Sequence, residues 1–215
     1  MTFPLMPDTS GYMRSAPTYS YIGQNYNSGD GFPAGAQTLT AGTKLVVVVC
    51  QLAGGPAASG VTVGGLACTQ ACASGAASNH ASIWYRETSL SGSQTISGSG
   101  GSGRSILHVY EVRDYSSATP YSAVAGFTDT ASTSFGIDVP TSTNTTTLGA
   151  GMAGPVTIAL TPSVGPSVAL ISNVAVESAT THFSWVQRPT ARGNPTTYTG
   201  SGSATSWRLA AAAWR

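Results

Sequence analysis

The stretch SGSQTISGSGGSGRSILHVYEV, residues 91–112, decides how this chain is organised. Eight of the nine residues from Ser97 to Ser105 are glycine or serine. A run of this kind is typical of three different features: a linker between two domains, a loop that holds phosphate, or the turn between two β-strands. The choice among them follows from the segments on either side.

Both flanking segments have the pattern of β-strands. Gln94–Ser97 is typical of a short edge strand, and Ile106–Val112 is an apolar run that needs neighbouring strands to bury it. A flexible linker would instead join two complete cores. The formal G-x-G-x-x-G match at Gly98–Gly103 lacks the helix that must follow in a dinucleotide site. We therefore predict that Gly98–Gly103 is the loop of a β-hairpin, with glycines at its positive-φ positions.

Strand-like segments continue on both sides of this loop. Leu45–Cys50 is apolar and rich in β-branched residues, as expected of a strand covered on both faces. The other strand-like runs are residues 61–66, 81–85, 135–139, 156–161, 168–171, 173–176 and 182–186. Trp207–Arg215 contains four consecutive alanines and could form a helix, but its alternating pattern favours a closing strand. No helical periodicity persists over three turns, and the sequence shows no internal repeat of fixed period.

These segments predict an all-β fold: an antiparallel β-sandwich, jelly-roll-like, formed by a single domain over residues 39–215. Residues 1–38 differ, because they combine prolines and tyrosines with neither helical nor strand periodicity. Two interpretations remain open for them: a disordered tail, or an extended arm that becomes ordered against a partner. Their aromatic residues favour the extended N-terminal arm.

The composition argues against several classes of partner. Only 8% of residues are charged, against about 25% in an ordinary soluble domain, whereas serine and threonine together number 57. A net charge of +1 with scattered arginines provides no basic patch, so nucleic acid is not expected. A surface so poor in charge fits permanent assembly, in which much of the surface is never free.

The sequence also indicates where the chain is made. Its N-terminal residues have no secretory signal pattern, and the longest apolar run, Leu45–Cys50, is too short to span a bilayer. Three cysteines, an odd number, do not form a secreted disulfide framework. We expect synthesis in a reducing cytosol and no membrane partner.

Cysteine and histidine side chains raise the question of a zinc site. Cys50, Cys68, Cys72 and His80 are suitable ligand types, but the C-x3-C spacing is loose and no second pair completes it. Core packing is favoured for Cys50, because free cysteine is commonly buried. A disulfide between Cys68 and Cys72 remains open. We predict neither a metal ion nor another cofactor.

The sequence carries no catalytic constellation. No serine lies in a G-x-S-x-G elbow, and His108 and His182 lie in apolar strands, where packed histidines are expected. Glycoside hydrolysis needs two carboxylates in one cleft. The near neighbours are Glu87, Glu111 and Asp114, and Glu111 can simply pair with an arginine. We expect a protein that is not an enzyme and assign no catalytic residue.

Aromatic residues on the predicted strands allow an alternative function. Six of them could form a sugar-stacking platform: Trp84, Tyr85, Tyr110, Trp185, Trp207 and Trp214. Burial in the sandwich core is the favoured interpretation, because aromatic side chains dominate core packing. The exposed platform is the basis of the alternative, a carbohydrate-binding module or receptor-binding adhesin domain.

Several segments in a fixed order carry a resemblance to a known class of protein. They are VTVGGLACT at 61–69, ASIWY at 81–85, QTISGSG at 94–100 and LHVYEV at 107–112. This order resembles a pattern in β-sandwich virion structural proteins of tailed bacteriophages, where a TVGG strand, an xxWY strand and a Gly/Ser-rich hairpin follow one another. The ending SWRLAAAAWR, residues 206–215, is similar to their closing strand.

The resemblance covers about residues 40–215 and implies a non-enzymatic virion part: a capsid decoration, head-fibre or neck/tail-associated protein. It leaves the arm at residues 1–38 unmatched. For a virion part we expect synthesis in the host cytoplasm, location in the virion, and docking of this arm onto a major capsid or neck/tail protein. Symmetric homo-oligomers are the norm for such parts, and a trimer is favoured by analogy. A host surface glycan remains open as a further partner.

Overall fold

The fold is all-β: every regular element among the described residues of the computed structural model is a β-strand. The described residues are 15–29, 31–75, 79–101, 103–128, 132–142, 144–153, 159–162, 169–176, 180–187, 196–204 and 206–215.

In the described part of the chain, nine strands precede residue 114 and eight follow it. The first nine are β1 (Thr18–Asn27), β2 (Ala34–Leu39), β3 (Lys44–Ala53), β4 (Gly60–Val63), β5 (Leu66–Ala67), β6 (Thr69–Ala73), β7 (Asn79–Thr88), β8 (Gly92–Ser99) and β9 (Arg104–Arg113). The other eight are β10 (Ser122–Thr128), β11 (Ser132–Val139), β12 (Thr146–Ala153), β13 (Ala159–Pro162), β14 (Ala169–Val176), β15 (Thr180–Gln187), β16 (Thr196–Ala204) and β17 (Trp207–Trp214).

The strands form four antiparallel sheets, two from each half of the chain. Strands β1–β9, the first unit, form inner sheet 1 in the order β1-β9-β3-β7-β6 and outer sheet 1 in the order β2-β8-β4-β5. Strands β10–β17, the second unit, form inner sheet 2 in the order β10-β17-β12-β15-β14 and outer sheet 2 in the order β11-β16-β13. The predicted all-β, antiparallel β-sandwich class is therefore confirmed.

Three hydrophobic cores separate these four layers. The central core lies between the two inner sheets, and each outer core lies between an inner sheet and the outer sheet of its own unit. The apolar run in strand β3 follows from burial on both of its faces. Val47 and Val49 face the central core, whereas Val46 and Val48 face the first outer core, which lies between inner sheet 1 and outer sheet 1. A strand buried on both faces has no position for a polar side chain to reach water.

The C-terminal strand follows the same logic. In β17, Ala210 and Ala212 face the central core, and Leu209 and Ala211 face the second outer core. This alternation with period two confirms the predicted strand. The helix propensity of alanine is small, and burial on both faces of the strand outweighs it.

The connection at Gly98–Gly103 is a turn, but the predicted hairpin is wrong. Strand β8 lies between β2 and β4 in outer sheet 1, so it is not an edge strand, and β9 lies between β1 and β3 in inner sheet 1. The chain therefore crosses between layers here. Positive φ angles at Gly100, Gly101 and Gly103 bear out the need for glycine. At Gly103 a Cβ would also lie 2.2 Å from the carbonyl oxygen of Ala53.

The N-terminal region differs from the predicted arm over residues 1–38. Residues 18–27 form β1, which pairs with β9 along its length, and residues 34–39 form β2, which pairs with β8. Tyrosines of β1 pack against the central core, so a tyrosine-rich segment without clear periodicity forms a strand once a partner edge is available. Residues 1–14 of the predicted arm lie outside the described residues. From residue 39 onward the described strands belong to two pairs of sheets.

Candidate functional site

A group of buried polar side chains lies in the central core, between the two inner sheets. Tyr110 on β9 and Ser184 on β15 approach with 2.6 Å between their hydroxyl oxygens. Gln51, at the end of β3, donates from Nε2 to the carbonyl oxygens of Gly151, at 2.8 Å, and of Phe183. These contacts join the first unit to the second through side chains that are almost fully buried.

Two histidines complete this region. His108 and His182 are fully buried, and neither ring nitrogen of either residue has a hydrogen-bond partner among the described residues. Burial lowers the pKa of His108 to about 3, and the neighbouring His182 lowers it further; burial lowers the pKa of His182 to about 4. Both imidazoles are therefore neutral at physiological pH. The sequence prediction that these histidines are packed is confirmed.

A second set of buried polar side chains holds the loop between β2 and β3 by hydrogen bonds. Glu111 accepts hydrogen bonds from the backbone nitrogen of Thr40, at 2.8 Å, and from its hydroxyl, at 2.5 Å, and lies 3.7 Å from the Arg113 guanidinium. Lys44, the only lysine of the chain, donates to the carbonyl oxygens of Thr40, Gly42 and Leu90. These charges are satisfied locally, as buried charges must be.

The three carboxylates considered for acid–base chemistry have separate partners. The Tyr115 hydroxyl donates to Glu87 at 2.6 Å, and the Thr18 hydroxyl donates to Asp114 at 2.8 Å. Glu111 bonds to Thr40 as described above. Each carboxylate thus serves a local structural contact.

The four residues considered for zinc are not brought together. Cys50 lies in the first outer core and Cys68 packs against that core, whereas Cys72 packs against the central core on the opposite face of inner sheet 1. Among the described residues, no group of three histidine, cysteine or acidic side chains could hold a metal ion. All three cysteines are free, so the structure contains no Cys68–Cys72 disulfide. Burial raises the pKa of the Cys68 and Cys72 thiols to about 12.

The tryptophans considered as a sugar platform are core residues. Trp185, Trp207 and Trp214 have no exposed surface, and Trp84 is 7% exposed. Tyr85 packs edge-to-face on Trp214, with 6.1 Å between ring centroids. The favoured interpretation of the tryptophans as core residues is therefore confirmed.

Exposed aromatic side chains occur instead on two edge strands. Tyr26 on β1 is 45% exposed, Phe127 on β10 is 48% exposed, and Tyr121, beside the start of β10, is 42% exposed. The Arg215 guanidinium stacks 4.6 Å from the Tyr121 ring centroid, next to a cavity of about 270 Å³. These features escaped the sequence reasoning, because an exposed aromatic on an edge strand has the same local pattern as a buried one.

The surface carries even less charge than the composition suggests. Lys44, Glu111 and Arg208 are all buried, so some of the few charged groups never reach solvent. Arg208 donates to the carbonyl oxygens of Asn79, at 3.0 Å, and Thr128, at 2.9 Å, and so ties β17 to the first unit. Its position in the alanine-rich strand gave no sign of this role.

No protein-family model, curated protein or solved structure matches this chain. None of the described segments is a helix of the length and apolarity needed to cross a bilayer.

Proposed function

We propose that this chain is a non-enzymatic structural component of a tailed-phage virion: a capsid decoration, head-fibre or neck/tail-associated protein. It acts by self-association, with a trimer favoured, and by docking onto a major capsid or neck/tail protein. It is made in the host cytoplasm and resides in the virion.

The observation that carries the proposal is the low surface charge of a protein built from stacked antiparallel β-sheets. Only 8% of residues are charged, and in the part of the chain that the structure describes three of these charges are buried. A free monomer usually needs surface charge to stay dispersed. A subunit that is locked into an assembly does not, because its surface is covered by neighbours.

The strand order supports the finer expectation of a jelly roll in the first unit. With β6 set aside as an extra edge strand, its eight strands follow the order 1-8-3-6 in one sheet and 2-7-4-5 in the other. That arrangement is the double Greek key of jelly rolls, which build viral capsid domains and also lectins. The fold alone therefore fits both the virion part and the glycan-binding alternative.

The docking element is confined to residues 1–14 in this proposal, because residues 18–27 and 34–39 form strands of the sheets. This segment carries two aromatic residues, Phe3 and Tyr12, and two prolines. It precedes β1 in the sequence, and β1 is an edge strand of inner sheet 1. A short segment can bind a groove on another protein through a few large apolar side chains, because a few residues usually supply most of the binding energy.

The test is incorporation of the chain into virus particles. A chain lacking residues 1–14, and a chain with Phe3→Ala and Tyr12→Ala, are expected to fold but to be missing from purified particles when quantified by mass spectrometry. The matched control carries Thr2→Ala and Thr9→Ala and is expected at the wild-type level. Wild-type incorporation of the truncated chain would refute docking through this segment.

The glycan-binding alternative now rests on a different residue. Tyr121 is exposed beside Ser117, Thr119 and Arg215, a combination of an aromatic face with hydroxyl and guanidinium groups that suits a sugar ring. Binding of a host polysaccharide that is lost in Tyr121→Ala and kept in Tyr26→Ala would favour this alternative.

A further inference from the structure

The two units of the chain have the same strand topology. Inner sheet 1, β1-β9-β3-β7-β6, corresponds strand for strand to inner sheet 2, β10-β17-β12-β15-β14. Outer sheet 1, β2-β8-β4, corresponds to outer sheet 2, β11-β16-β13, and only the two-residue strand β5 has no described counterpart. Eight connected strands do not repeat in this order by the rules of chain connection alone.

The first strands of the two units also share sequence. Residues 15–20 read SAPTYS and residues 117–122 read SATPYS, a spacing of 102 residues. The register agrees with this alignment: Ser20 pairs with Glu111, and Ser122 pairs with Ala213, again 102 residues further on. Tyr26 pairs with Ile106 and Phe127 pairs with Arg208, and these two partners are again 102 residues apart. The exposed aromatic residues Tyr26 and Phe127 therefore occupy equivalent positions in the two units.

The later strands extend the match. TISGSG at 95–100 corresponds to TYTGSG at 197–202, and both segments lead into the last strand of their unit. Trp84 pairs with Val48 in the first unit, and Trp185 pairs with Gly149 at the corresponding place in the second. Each of these tryptophans lies in the outer core of its own unit.

The units also use the same face to contact each other. Val47 and Val49 of the first unit face the central core, and so do their counterparts Leu148 and Ala150. A contact in which both partners use the same surface is the isologous type found in two-fold dimers.

From these observations we infer that the chain is a tandem duplication of one sandwich unit, whose inner-sheet face is a self-association surface that pairs with the second copy of the unit. The chain is thus a dimer made within one polypeptide. An assembly built from it contains twice as many sandwich units as chains.

The two faces have diverged to fit each other. On one side of the central core, Tyr110 of β9 meets Ser184 of β15. On the equivalent side, Ala212 of β17 takes the place of Tyr110, and Ile83 of β7 takes the place of Ser184. On both sides, therefore, the first unit contributes the larger residue and the second unit the smaller one.

The neighbouring pair of equivalent positions shows the same difference in side-chain size between the two units. His108 on β9 corresponds to Ala210 on β17, and both lie on strands lining the central core. Pairing two first units would set Tyr110 against Ile83 on both sides and overpack the contact. Pairing two second units would set Ala212 against Ser184 and leave space on both sides. The sizes therefore favour a first unit bound to a second unit.

The test exchanges the large and small residues between equivalent positions in the full-length chain. One half-exchange is Tyr110→Ala with Ala212→Tyr, and its matched counterpart is Ser184→Ile with Ile83→Ser. Each half-exchange places two large residues on one side and two small ones on the other, and is expected to lower the melting temperature by about 10 °C or more. The four substitutions together restore a large–small pair on each side.

The result expected is that the fourfold variant melts well above both half-exchanged chains, with non-additive coupling between the two pairs of substitutions. If a half-exchanged chain fails to fold, recovery of a cooperative transition in the fourfold variant gives the same answer. A fourfold variant whose loss equals the sum of the two half-exchanges, or which does not fold, would overturn the inference.

Discussion

The hydroxyl groups of Tyr110 and Ser184 lie 2.6 Å apart in the middle of the protein, although 74 residues separate them in sequence. One belongs to the last strand of the first unit and the other to the second unit. Burial raises the pKa of Tyr110, so its hydroxyl stays protonated and can donate to Ser184. The contact joins the inner sheets of the two units through their side chains.

Acidification should destabilise this interface. The folded-state pKa values of His108, about 3, and His182, about 4, lie below the ordinary value of 6.5. Below pH 6.5 the two histidines therefore bind protons in the unfolded chain but not in the folded chain. The free energy of unfolding decreases as the pH falls from 6.5 towards these values. At pH 5 the loss is about 2 kcal/mol for each histidine. Urea unfolding at pH 7.5 and pH 5 measures it.

The control for acidification is the double variant His108→Leu, His182→Leu. Its unfolding free energy should depend less on pH between 7.5 and 5 than that of the wild type. An equally steep dependence in the double variant would show that other groups cause the acid sensitivity.

Substitution of Gly149 by alanine should be strongly destabilising. The added Cβ would lie 2.0 Å from the Trp185 ring, in a strand covered on both faces. Overpacking of this kind costs about 3 kcal/mol or more, because backbone and ring must both shift. Gly29→Ala is the matched control, since its Cβ would make only an ordinary 3.5 Å contact with Asn27. Thermal melts of the two variants should differ clearly, and equal melting temperatures would contradict the packing at Gly149.

The cysteines should be unreactive in the native protein. Burial raises the pKa of Cys50 well above its ordinary value and that of Cys68 and Cys72 to about 12, so little thiolate is present at pH 8. Iodoacetamide should label none of them quickly under native conditions and all three in urea, as read by intact mass. Rapid native labelling of Cys68 or a mass corresponding to a disulfide would contradict the arrangement of the two faces.

Truncation from the N-terminus should separate the docking segment from the fold. Removal of residues 1–14 takes away no described strand and should leave the melting temperature unchanged. Removal of residues 1–28 takes away β1, exposes the edge of β9 and uncovers Tyr110, against which Tyr21 packs with 5.3 Å between ring centroids. That chain should lose its cooperative transition in circular dichroism. Retention of a wild-type transition would contradict the placement of β1.

Strand identity could be predicted from sequence wherever burial imposes a period. Leu45–Cys50 and Trp207–Trp214 are examples, because a strand covered on both faces or alternating between two cores leaves an unmistakable pattern. Strand partners could not be predicted. β8 and β9 are adjacent in sequence but lie in different sheets, and nothing in their alternation distinguishes a hairpin from a crossing between layers.

The duplication escaped the sequence reasoning for a physical reason. Corresponding core positions carry different residues, such as Tyr110 and Ala212, because each face has adapted to its partner. What remains alike is short and polar, as in TISGSG and TYTGSG, and such segments are common throughout a chain rich in Gly, Ser and Thr. Topology is retained where sequence has diverged.

The polar residues of the central core had only a partial signal. Gln51 continues the same-face series of Val47 and Val49, so its burial follows from the strand period. Its bonds to the carbonyl oxygens of Gly151 and Phe183 could not be foreseen, since they depend on how two sheets from different halves of the chain are stacked.

The measurement that tests the proposed structural role most directly is the native mass of the purified full-length chain by light scattering at micromolar concentration. We expect a stable oligomer, a trimer or larger ring, with a mass that is a whole multiple of 21.7 kDa. A soluble monomer of 21.7 kDa at every concentration would contradict it.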